Sequence, residues 1–542
     1  MKYIIVSGGV ISGIGKGTVC SSIGVLLKSK GYVVSHIKID PYLNYSAGMM
    51  APCEHGEVYV LNDGGETDLD LGNYERFVNI ELTSKNAITS GNILYNIIEQ
   101  ERRGEFNGKT LQMNPHIIQE VLGRIEDISK TPVKDTITGV SSVPEIVIIE
   151  LGGTVGDFES LMYLEAFYKF TSKLQREDYV HISVDYLIDL HGKEHKTKPI
   201  QNSFRNLRSF GLKSDITICR TQIPLNDLSI NKISEICNVE QENIFYLPTL
   251  STIYRVPNFL ESNGLYSCIK KLMHIEERPV SVNLLEKFDR LAKRNVDTIS
   301  IGIVTKYGTQ ADSYASVVHA LLFSSSEVGV NVELVWIDSE ALERDSEDKD
   351  YVEAMSKIKE CQGILVPGGF GTRGIEGKIK AISYCRENKI PFLGICLGLQ
   401  LSVIEFSRNV LNIKNATSEE FDPKAENQVI TYINHNGIKK KTIRLGANNI
   451  CLADKSKIRE VYSCNTISER HRHRFEINRD FVDSLEQKGY KCSGRSEGEN
   501  VPEIFELEDH PFFVGVQFHP EFNARSLSPS PLFTSFLSAA YK

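Results

Sequence analysis

The chain opens with Lys2-Tyr3-Ile4-Ile5-Val6-Ser7, an apolar run that leads directly into Gly8-Gly9-Val10-Ile11-Ser12-Gly13-Ile14-Gly15-Lys16-Gly17-Thr18. The apolar run predicts a buried strand, and residues 17–31 have the spacing of a helix that Gly31 would end. A strand, a glycine-rich loop and a helix in this order are typical of a doubly wound α/β sheet, whose loop can bind phosphate. This stretch therefore predicts both the fold class and a nucleotide site.

The same alternation of apolar runs and helical patterns continues along all 542 residues, too many for one hydrophobic core. The pattern changes near residue 280, where a charged amphipathic segment precedes a fresh strand. We predict two doubly wound, parallel-sheet (Rossmann-like) α/β domains at residues 1–280 and 298–542, joined by a linker helix at residues 281–297. The predicted strands are residues 2–7, 33–39, 145–151, 179–185 and 215–219, and then 298–304, 330–336, 362–367, 391–395 and 512–518.

The composition limits the classes of function. A net charge of −9 argues against a general nucleic-acid or membrane-surface binder. We expect the basic runs 439–441 and 470–474 to be solvated faces. The 11 cysteines include no Cys-x-x-Cys pair, which argues against a structural zinc site or a disulfide framework. We see no signal peptide and no apolar stretch of about 18 residues, so we expect a cytoplasmic protein.

The glycine-rich loop has the Gly15-Lys16 core of a P-loop, in which backbone N–H groups face phosphate oxygens and the lysine reaches the terminal phosphates. The match is imperfect, because Val10 stands where the first glycine is usual and Gly17 separates Lys16 from Thr18. Glycine-rich loops are also common structural turns. The position of this loop between a strand and a helix favours phosphate binding.

Two carboxylates are candidates for the magnesium ion that a nucleotide brings. Glu150 ends a predicted core strand, and Asp70 lies in the acidic stretch 65–72. Magnesium favours one or two carboxylates together with phosphate and water. Charged side chains at 196–201, and Lys38 at the end of another strand, could contact a triphosphate, although solvated side chains fit these positions equally well.

A second chemical signal lies near the other end of the chain. Cys396 is in Gly394-Ile395-Cys396-Leu397-Gly398, between a predicted strand and a predicted helix, where the helix dipole favours a thiolate. His519 and Glu521 follow a later strand and could form a triad with the thiol. An isolated cysteine is usually a small buried hydrophobe, but the three residues together favour catalysis. Residues 367–371 could supply oxyanion-hole amides.

These motifs resemble two known families. Residues 392–400 with 516–521 resemble class I (triad-type) glutamine amidotransferases. The first half is similar to the amidoligase (synthase) domain of CTP synthases, through residues 7–17, 38–42, 55–58, 66–72, 150–160 and 196–201. The motifs follow the order of the CTP synthase family along essentially the whole chain.

The resemblance implies a ligase that makes CTP from UTP, ATP and glutamine, the last step of de novo CTP synthesis. In that family ATP phosphorylates the uracil 4-oxygen, and ammonia from glutamine then displaces the phosphate. The resemblance gives Cys396 the attack on the glutamine amide, His519 the proton transfers, and Glu521 the orientation of His519. It also implies Mg2+ as cofactor, CTP as feedback inhibitor, GTP as activator, and a homotetramer that can stack into filaments.

The resemblance also assigns binding residues by position. Its ATP-site residues are Gly13, Ile14, Gly15, Lys16, Gly17 and Thr18, with Lys16 and Lys38 as catalytic lysines. Its magnesium ligands are Asp70 and Glu150. Its UTP and CTP contacts are Ser12, Asp157, Phe158, Glu159, Lys196, Thr197, Lys198, Gln201 and Lys232. Its glutamine contacts are Gly369, Leu397, Gln400, Glu420 and Arg474. Its ammonia passage lies near His55.

One segment departs from the family pattern. The family's Gly-Gly-Thr-Met-Arg-Leu-Gly is Lys440-Lys441-Thr442-Ile443-Arg444-Leu445-Gly446 here, so the GTP response is a weaker expectation than the chemistry. We assign no function to residues 339–350. Two other functions stay open: an ATP-driven assembly protein with a vestigial amidase domain, and a structural filament. The complete set of Cys396, His519 and Glu521 argues against a vestigial domain.

Overall fold

The computed structural model describes residues 1–190, 194–279, 284–293, 296–307, 311–435, 438–439 and 443–542. The chain forms two compact units, Met1–Met49 with Asp70–Lys293 and Met50–Leu69 with Arg294–Lys542. The predicted linker, residues 281–297, lies partly outside the described residues, which include the helix Leu284–Leu291. The predicted domain boundaries therefore stay predictions. None of the described helices is both long and apolar enough to span a membrane.

The first unit is built on a sheet in which every described strand pair is parallel. Its strands, in spatial order, are Ile244–Leu247, Ile216–Arg220, Tyr179–Tyr186, Lys2–Gly8, Ile146–Leu151, Val34–Asp40 and Ala87–Thr89. Its helices are Lys16–Ser29, Leu69–Val78, Ser90–Arg102, Ile118–Lys130, Leu161–Thr171, Lys198–Ser209, Asp227–Cys237, Val256–Ser262, Leu265–Met273 and Leu284–Leu291. Each predicted strand of this unit is present, with ends within one residue of the prediction.

The central strand Lys2–Gly8 lies between Ile146–Leu151 and Tyr179–Tyr186. All six residues of Ile146–Leu151 are buried, which explains why this strand is a continuous apolar run. The carboxyl ends of neighbouring parallel strands meet at one edge of the sheet, where ligands bind in open α/β folds. At that edge, the glycine-rich loop after Gly8 lies beside Glu150 and Lys38. These two residues are directly opposite each other on neighbouring strands.

The second unit has a mixed sheet. Its parallel strands, in spatial order, are Asn331–Asp338, Thr298–Thr305, Gly363–Val366, Phe392–Ile395 and Phe513–Val516. The sheet then continues through the antiparallel strands Pro502–Leu507, Tyr490–Ser496, Arg444–Leu452 and Thr466–His473. The predicted α/β class with parallel sheets is confirmed, and the antiparallel extension was not predicted.

The helices of the second unit are Pro52–His55, Ala315–Val328, Lys349–Glu360, Ile375–Asn388, Leu397–Asn409, Lys457–Tyr462, Val482–Gln487 and Pro531–Tyr541. The segment Met50–Leu69 belongs to this unit and contains the short antiparallel pair Tyr59–Val60 and Glu66–Thr67. Its buried Glu57 accepts a hydrogen bond from the Ser316 backbone N–H at 2.7 Å. The Tyr59 hydroxyl donates to the Phe522 carbonyl at 2.9 Å.

The expectation of a solvated face at residues 470–474 is wrong for most of the run, and only Arg474 is exposed. This run lies in and just after the strand Thr466–His473, and Arg470, His471 and His473 are buried. Arg470 donates to the Tyr59 hydroxyl and to the Asn62 side chain, so its charge is satisfied by a segment about 410 residues away in sequence. The other basic run, 439–441, lies largely outside the described residues.

Candidate active sites

Cys396 lies on a strained turn between the strand Phe392–Ile395 and the helix Leu397–Asn409. Its φ of 53° and ψ of −102° are unusual for a residue with a side chain, and strain of this kind is typical of functional turns. The Cys396 N–H donates to the Val516 carbonyl at 2.7 Å, which fixes the turn to the neighbouring strand. A side chain at Gly398 would collide with the Val366 carbonyl, so only glycine fits there. The turn thus presents the thiol at a helix N-terminus.

His519 and Glu521 are joined by a hydrogen bond of 2.8 Å between Nδ1 and Oε1. The His519 N–H also donates to the Arg470 carbonyl at 2.8 Å, which fixes the backbone of the histidine. Burial lowers the pKa of His519, but the negative charges of Glu521 and Cys396 outweigh it and raise this pKa to about 10. The imidazole is therefore held in the protonated form.

The loop at residues 367–371 covers the thiol and the imidazole. A methyl group placed on Gly368 would lie 2.9 Å from His519 Cε1 and 3.4 Å from Cys396 Cβ. The Phe370 N–H donates to the Tyr307 hydroxyl at 3.0 Å, and the Gly371 N–H donates to Glu420 Oε1 at 2.9 Å. Within the described residues the N–H of Gly369 has no hydrogen-bond partner. The Gly369 N–H and the N–H of Leu397, which begins the helix Leu397–Asn409, are therefore available to donate hydrogen bonds to a developing oxyanion.

The glycine-rich loop of the first unit leads into the helix Lys16–Ser29, with Gly15 at the N-cap in the left-handed region at φ 86°. Lys16 is buried, and its Nζ donates to the Gly153 carbonyl at 2.8 Å. Burial lowers the pKa of Lys16, and Glu150 opposes that change. A side chain at Gly17 would collide with the Asp70 carboxylate, which explains the extra glycine between Lys16 and Thr18.

Lys38 is the centre of a cluster of carboxylates at the same edge of the sheet. Its buried Nζ pairs with Asp70, with Asp40 Oδ1 at 3.5 Å and with Glu150 Oε1 at 3.6 Å. Burial raises the pKa of Glu150, and Lys38 opposes that rise. Asp70 and Glu150 thus converge on one cation, which is the arrangement of two carboxylates that magnesium favours beside a phosphate. These residues fit a magnesium ion.

Sequence profiles of known families match both units. The profile of the CTP synthase N-terminus matches residues 2–275, and that of class I glutamine amidotransferases matches residues 310–539. A CTP synthase of Encephalitozoon cuniculi is 49% identical over 544 residues, which cover 100% of this chain and 99% of that protein. CTP synthase 1 of Homo sapiens is 46% identical over 556 residues, covering 100% of this chain and 93% of that protein.

The chain belongs to the CTP synthase family. The predicted resemblance is thereby confirmed over the whole chain. Among solved structures, the glutaminase domain of Trypanosoma brucei CTPS with bound acivicin is 35% identical, with a TM-score of 0.42. That similarity covers 45% of this chain and 94% of that domain.

The family's glutamine-holding positions lie around the covering loop. A methyl group on Gly369 would lie 3.6 Å from Leu397 Cδ2, so these two positions adjoin. The Arg474 guanidinium lies 5.6 Å from the centre of the Phe370 ring, and its charge acts on Glu420, whose pKa is raised by burial. Gln400 points inward instead, and its amide donates to the Phe475 carbonyl at 3.1 Å.

The family's UTP and CTP positions are mostly at the surface of the first unit. Ser12, Phe158, Glu159, Lys196, Lys198 and Lys232 are exposed. Thr197 is buried and its hydroxyl accepts a hydrogen bond from Gln201 Nε2 at 2.9 Å, while Asp157 accepts one from Thr154. His55, in the second unit, is exposed at the end of the helix Pro52–His55. Of the unusual segment 440–446, residues 440–442 lie outside the described residues.

Two features of these sites were not found from sequence. Gln517 is buried, its Nε2 lies 3.7 Å from Cys396 Sγ, and its Oε1 accepts a hydrogen bond from Gln400. Its position two residues before the candidate catalytic His519 could have indicated from sequence that it belongs to this site. The second feature is a cleft beside Gly15 and Thr18, whose other walls are Arg220, Leu247, Pro248, Thr249, Leu250, Thr252, Ile253 and Val256. Nothing in the local sequence marks that cleft.

His471, His473 and Glu503 form a buried group whose ligand atoms lie within 4.8 Å of one another. His473 Nδ1 is 2.9 Å from the Phe475 carbonyl, and His471 Nδ1 is 3.1 Å from His473 Nε2. Burial lowers the pKa of both histidines, so two neutral rings can form this chain of hydrogen bonds. Arg444 donates to Glu503 at 2.5 Å and already supplies the positive charge there. The group is explained without a metal ion.

Proposed function

We propose that this chain makes CTP from UTP, ATP and glutamine, as a ligase that forms a C–N bond with glutamine as amido donor. The observation that carries the proposal is the presence of both a thiol site and a phosphate site in a member of the CTP synthase family. One site has a bonded His519–Glu521 pair beside a strained cysteine. The other has a buried lysine and converging carboxylates beside a glycine-rich loop.

In the second unit, the Cys396 thiolate attacks the amide carbon of glutamine. The developing oxyanion accepts hydrogen bonds from the N–H groups of Gly369 and Leu397, neither of which has another partner among the residues that the structure describes. His519 gives its proton to the leaving ammonia and then helps water to hydrolyse the thioester. Glu521 holds the imidazole in orientation through Nδ1. Glutamate and ammonia are the products of this half-reaction.

In the first unit, Lys16 and Lys38 neutralise phosphate charge while ATP phosphorylates the 4-oxygen of UTP. Asp70 and Glu150 would hold a magnesium ion, which would supply charge neutralisation on the phosphates. Ammonia then attacks the 4-carbon of the uracil ring and inorganic phosphate leaves. Because ammonia is taken up at this carbon, it must reach the phosphorylated UTP after its release, and we place His55 on that route by family position.

The nucleotides are assigned to the edge of the first sheet. The ATP phosphates lie on residues Gly13, Ile14, Gly15, Lys16, Gly17 and Thr18, and the adenine base in the cleft that Gly15 and Thr18 share with Arg220. UTP is contacted by Ser12, Lys196, Thr197, Lys198, Gln201 and Lys232. CTP as feedback inhibitor shares these residues and adds Asp157, Phe158 and Glu159. The exposure of Ser12, Phe158, Glu159, Lys196, Lys198 and Lys232 supports a site that is completed by a further surface.

We also propose a homotetramer that can form filaments, activated by GTP and working in the cytoplasm. Large apolar side chains are exposed on the first unit, among them Leu43 at 74%, Tyr45 at 63% and Phe158 at 84%. Exposed apolar groups of this size mark interaction surfaces and support self-association. The family membership supports the regulatory nucleotides.

The direct test is an assay of the purified full chain with UTP, ATP, Mg2+ and either glutamine or ammonium chloride. We expect CTP from both nitrogen sources. ATP hydrolysis or polymer formation without any CTP would instead favour an assembly protein or a structural filament.

A further inference from the structure

A lysine in the core of the second unit has no part in the chemistry described so far. Lys378, on the helix Ile375–Asn388, is 0% exposed. Its ammonium donates to the Pro367 carbonyl at 3.2 Å. A buried lysine is costly unless its charge is compensated, so its presence needs a physical reason.

The position of the Pro367 carbonyl supplies one reason. Pro367 and Gly368 share one peptide group, and a trans peptide points its C=O and N–H in opposite directions. By holding the carbonyl, the Lys378 ammonium therefore also fixes the direction of the Gly368 N–H. Gly368 itself lies in contact range of both His519 and Cys396.

The far end of the same loop is held in a similar way. The Lys306 ammonium donates to the carbonyls of Phe370 and Gly371, both at 2.8 Å. Lysine ammonium groups thus fix the carbonyls at both ends of the loop, with Gly369 between them. Such fixing limits the directions that the Gly369 N–H can take, and this N–H is the one that the proposed mechanism assigns to the oxyanion.

The charges around the thiol supply a second reason. When Cys396 is a thiolate, it and Glu521 carry two negative charges in a buried site, and the His519 imidazolium offsets only one. In its ammonium form, Lys378 supplies the other positive charge from inside the protein. Burial and Lys306 lower the pKa of Lys378 to about 7, and the Cys396 charge opposes this change, so the thiolate and the ammonium favour each other.

We propose that Lys378 is a positioning residue of the glutaminase site, which holds the 367–371 loop from behind and stabilises the Cys396 thiolate by its buried positive charge. This inference rests on the proposed glutaminase function. It explains why the chain keeps a lysine in a core where an apolar side chain would be cheaper to bury.

The test compares Lys378→Met with Lys380→Met in the full chain. Lys380 is a matched control, because it lies on the same helix and donates to the Leu342 carbonyl at 2.9 Å but is exposed. Three quantities are measured: kcat and KM for glutamine, CTP formation from ammonium chloride, and the rate of Cys396 alkylation by iodoacetamide against pH.

For Lys378→Met we expect kcat for glutamine to fall roughly tenfold, less than the loss of a direct oxyanion-hole donor. We expect KM to change less than the kcat, and the pH at which alkylation becomes fast to rise by about one unit. CTP formation from ammonium chloride should stay at the wild-type rate, and Lys380→Met should change none of the three. Wild-type kcat and an unmoved alkylation profile in Lys378→Met would overturn the proposal.

A second variant separates position from charge. Lys378→Gln keeps a hydrogen-bond donor but no charge, so it should retain more of the kcat while shifting the alkylation profile as far as Lys378→Met. If both variants lower the glutamine and ammonium rates in parallel, Lys378 is only a structural residue and the proposal is wrong. If the wild type makes no CTP from either source, the proposed function fails, while the alkylation profiles still decide the effect of Lys378 on the thiol.

Discussion

Around Cys396 the site is held by backbone geometry and hydrogen bonds, whereas around Lys38 the charged groups are paired among themselves. His519 and Glu521 share a 2.8 Å hydrogen bond, and the cysteine is held in a strained turn. Lys38, in contrast, is paired with Asp70, Asp40 and Glu150. The thiol site thus has a positioned imidazole and carboxylate, and the phosphate site has a cluster of paired charges suited to phosphate and magnesium.

This difference follows from the two chemistries. A thiol becomes a nucleophile only if an imidazole and a carboxylate are already in place. Phosphoryl transfer needs charge neutralisation, and much of that charge arrives with ATP and magnesium. The two sites should therefore respond differently to substitution: changes at the first should affect glutamine alone, and changes at the second should affect both nitrogen sources.

The largest effect is expected for Cys396→Ala. Removing the nucleophile should lower glutamine-dependent CTP formation by roughly 10⁵-fold, since loss of a catalytic nucleophile costs about this much. The rate with ammonium chloride should stay unchanged, because ammonia does not need the thiol. Steady-state assays with both nitrogen sources measure the effect. Glutamine use at the wild-type rate would show that the nucleophile is assigned wrongly.

Glu521→Gln should lower the glutamine-dependent rate by roughly 10²- to 10⁴-fold, because the imidazole loses its orienting carboxylate. Glu521 also raises the pKa of His519, so its removal should move the alkaline limb of the glutamine pH profile to lower pH. The ammonium-dependent rate again serves as the control. A variant with an unmoved alkaline limb would contradict the role given to Glu521.

Lys16→Met should lower CTP formation from both nitrogen sources by roughly 10²-fold or more, because a phosphate-binding cation is lost. Glutamine hydrolysis to glutamate, followed separately without nucleotides, should stay close to the wild-type rate. The comparison between the two sites would fail if this variant still made CTP normally from ammonium chloride.

Much of this contrast could be predicted from the sequence. The first strand, Lys2–Gly8, and the turn at Cys396 lie where the sequence predicts them. Both could be predicted because they depend on local patterns of apolar residues and glycines. The buried position of Arg470 could not be predicted, because its partners Tyr59 and Asn62 lie about 410 residues away in sequence. For the same reason no local signal showed that residues 50–69 belong to the second unit.

The smallest effect is a change of stability with pH. The pKa of His519 is raised to about 10 in the folded chain, and an unfolded histidine titrates near 6.5. Between pH about 6.5 and about 10, the folded state therefore holds one more proton than the unfolded state. The stabilisation that this proton gives the folded state is complete below pH about 6.5 and is lost as the pH rises toward about 10. His519→Gln should lack this loss, giving a Tm that falls less steeply than the wild type over that range. Parallel Tm profiles would argue against the raised pKa.

The central claim is that nitrogen freed at Cys396 is used by the same molecule to aminate UTP. It is tested most directly by supplying glutamine labelled with ¹⁵N in its amide, together with an excess of unlabelled ammonium chloride. The CTP is then analysed by mass spectrometry. We predict that most of the CTP carries ¹⁵N. CTP labelled only in proportion to the mixed ammonia pool in solution would contradict the account.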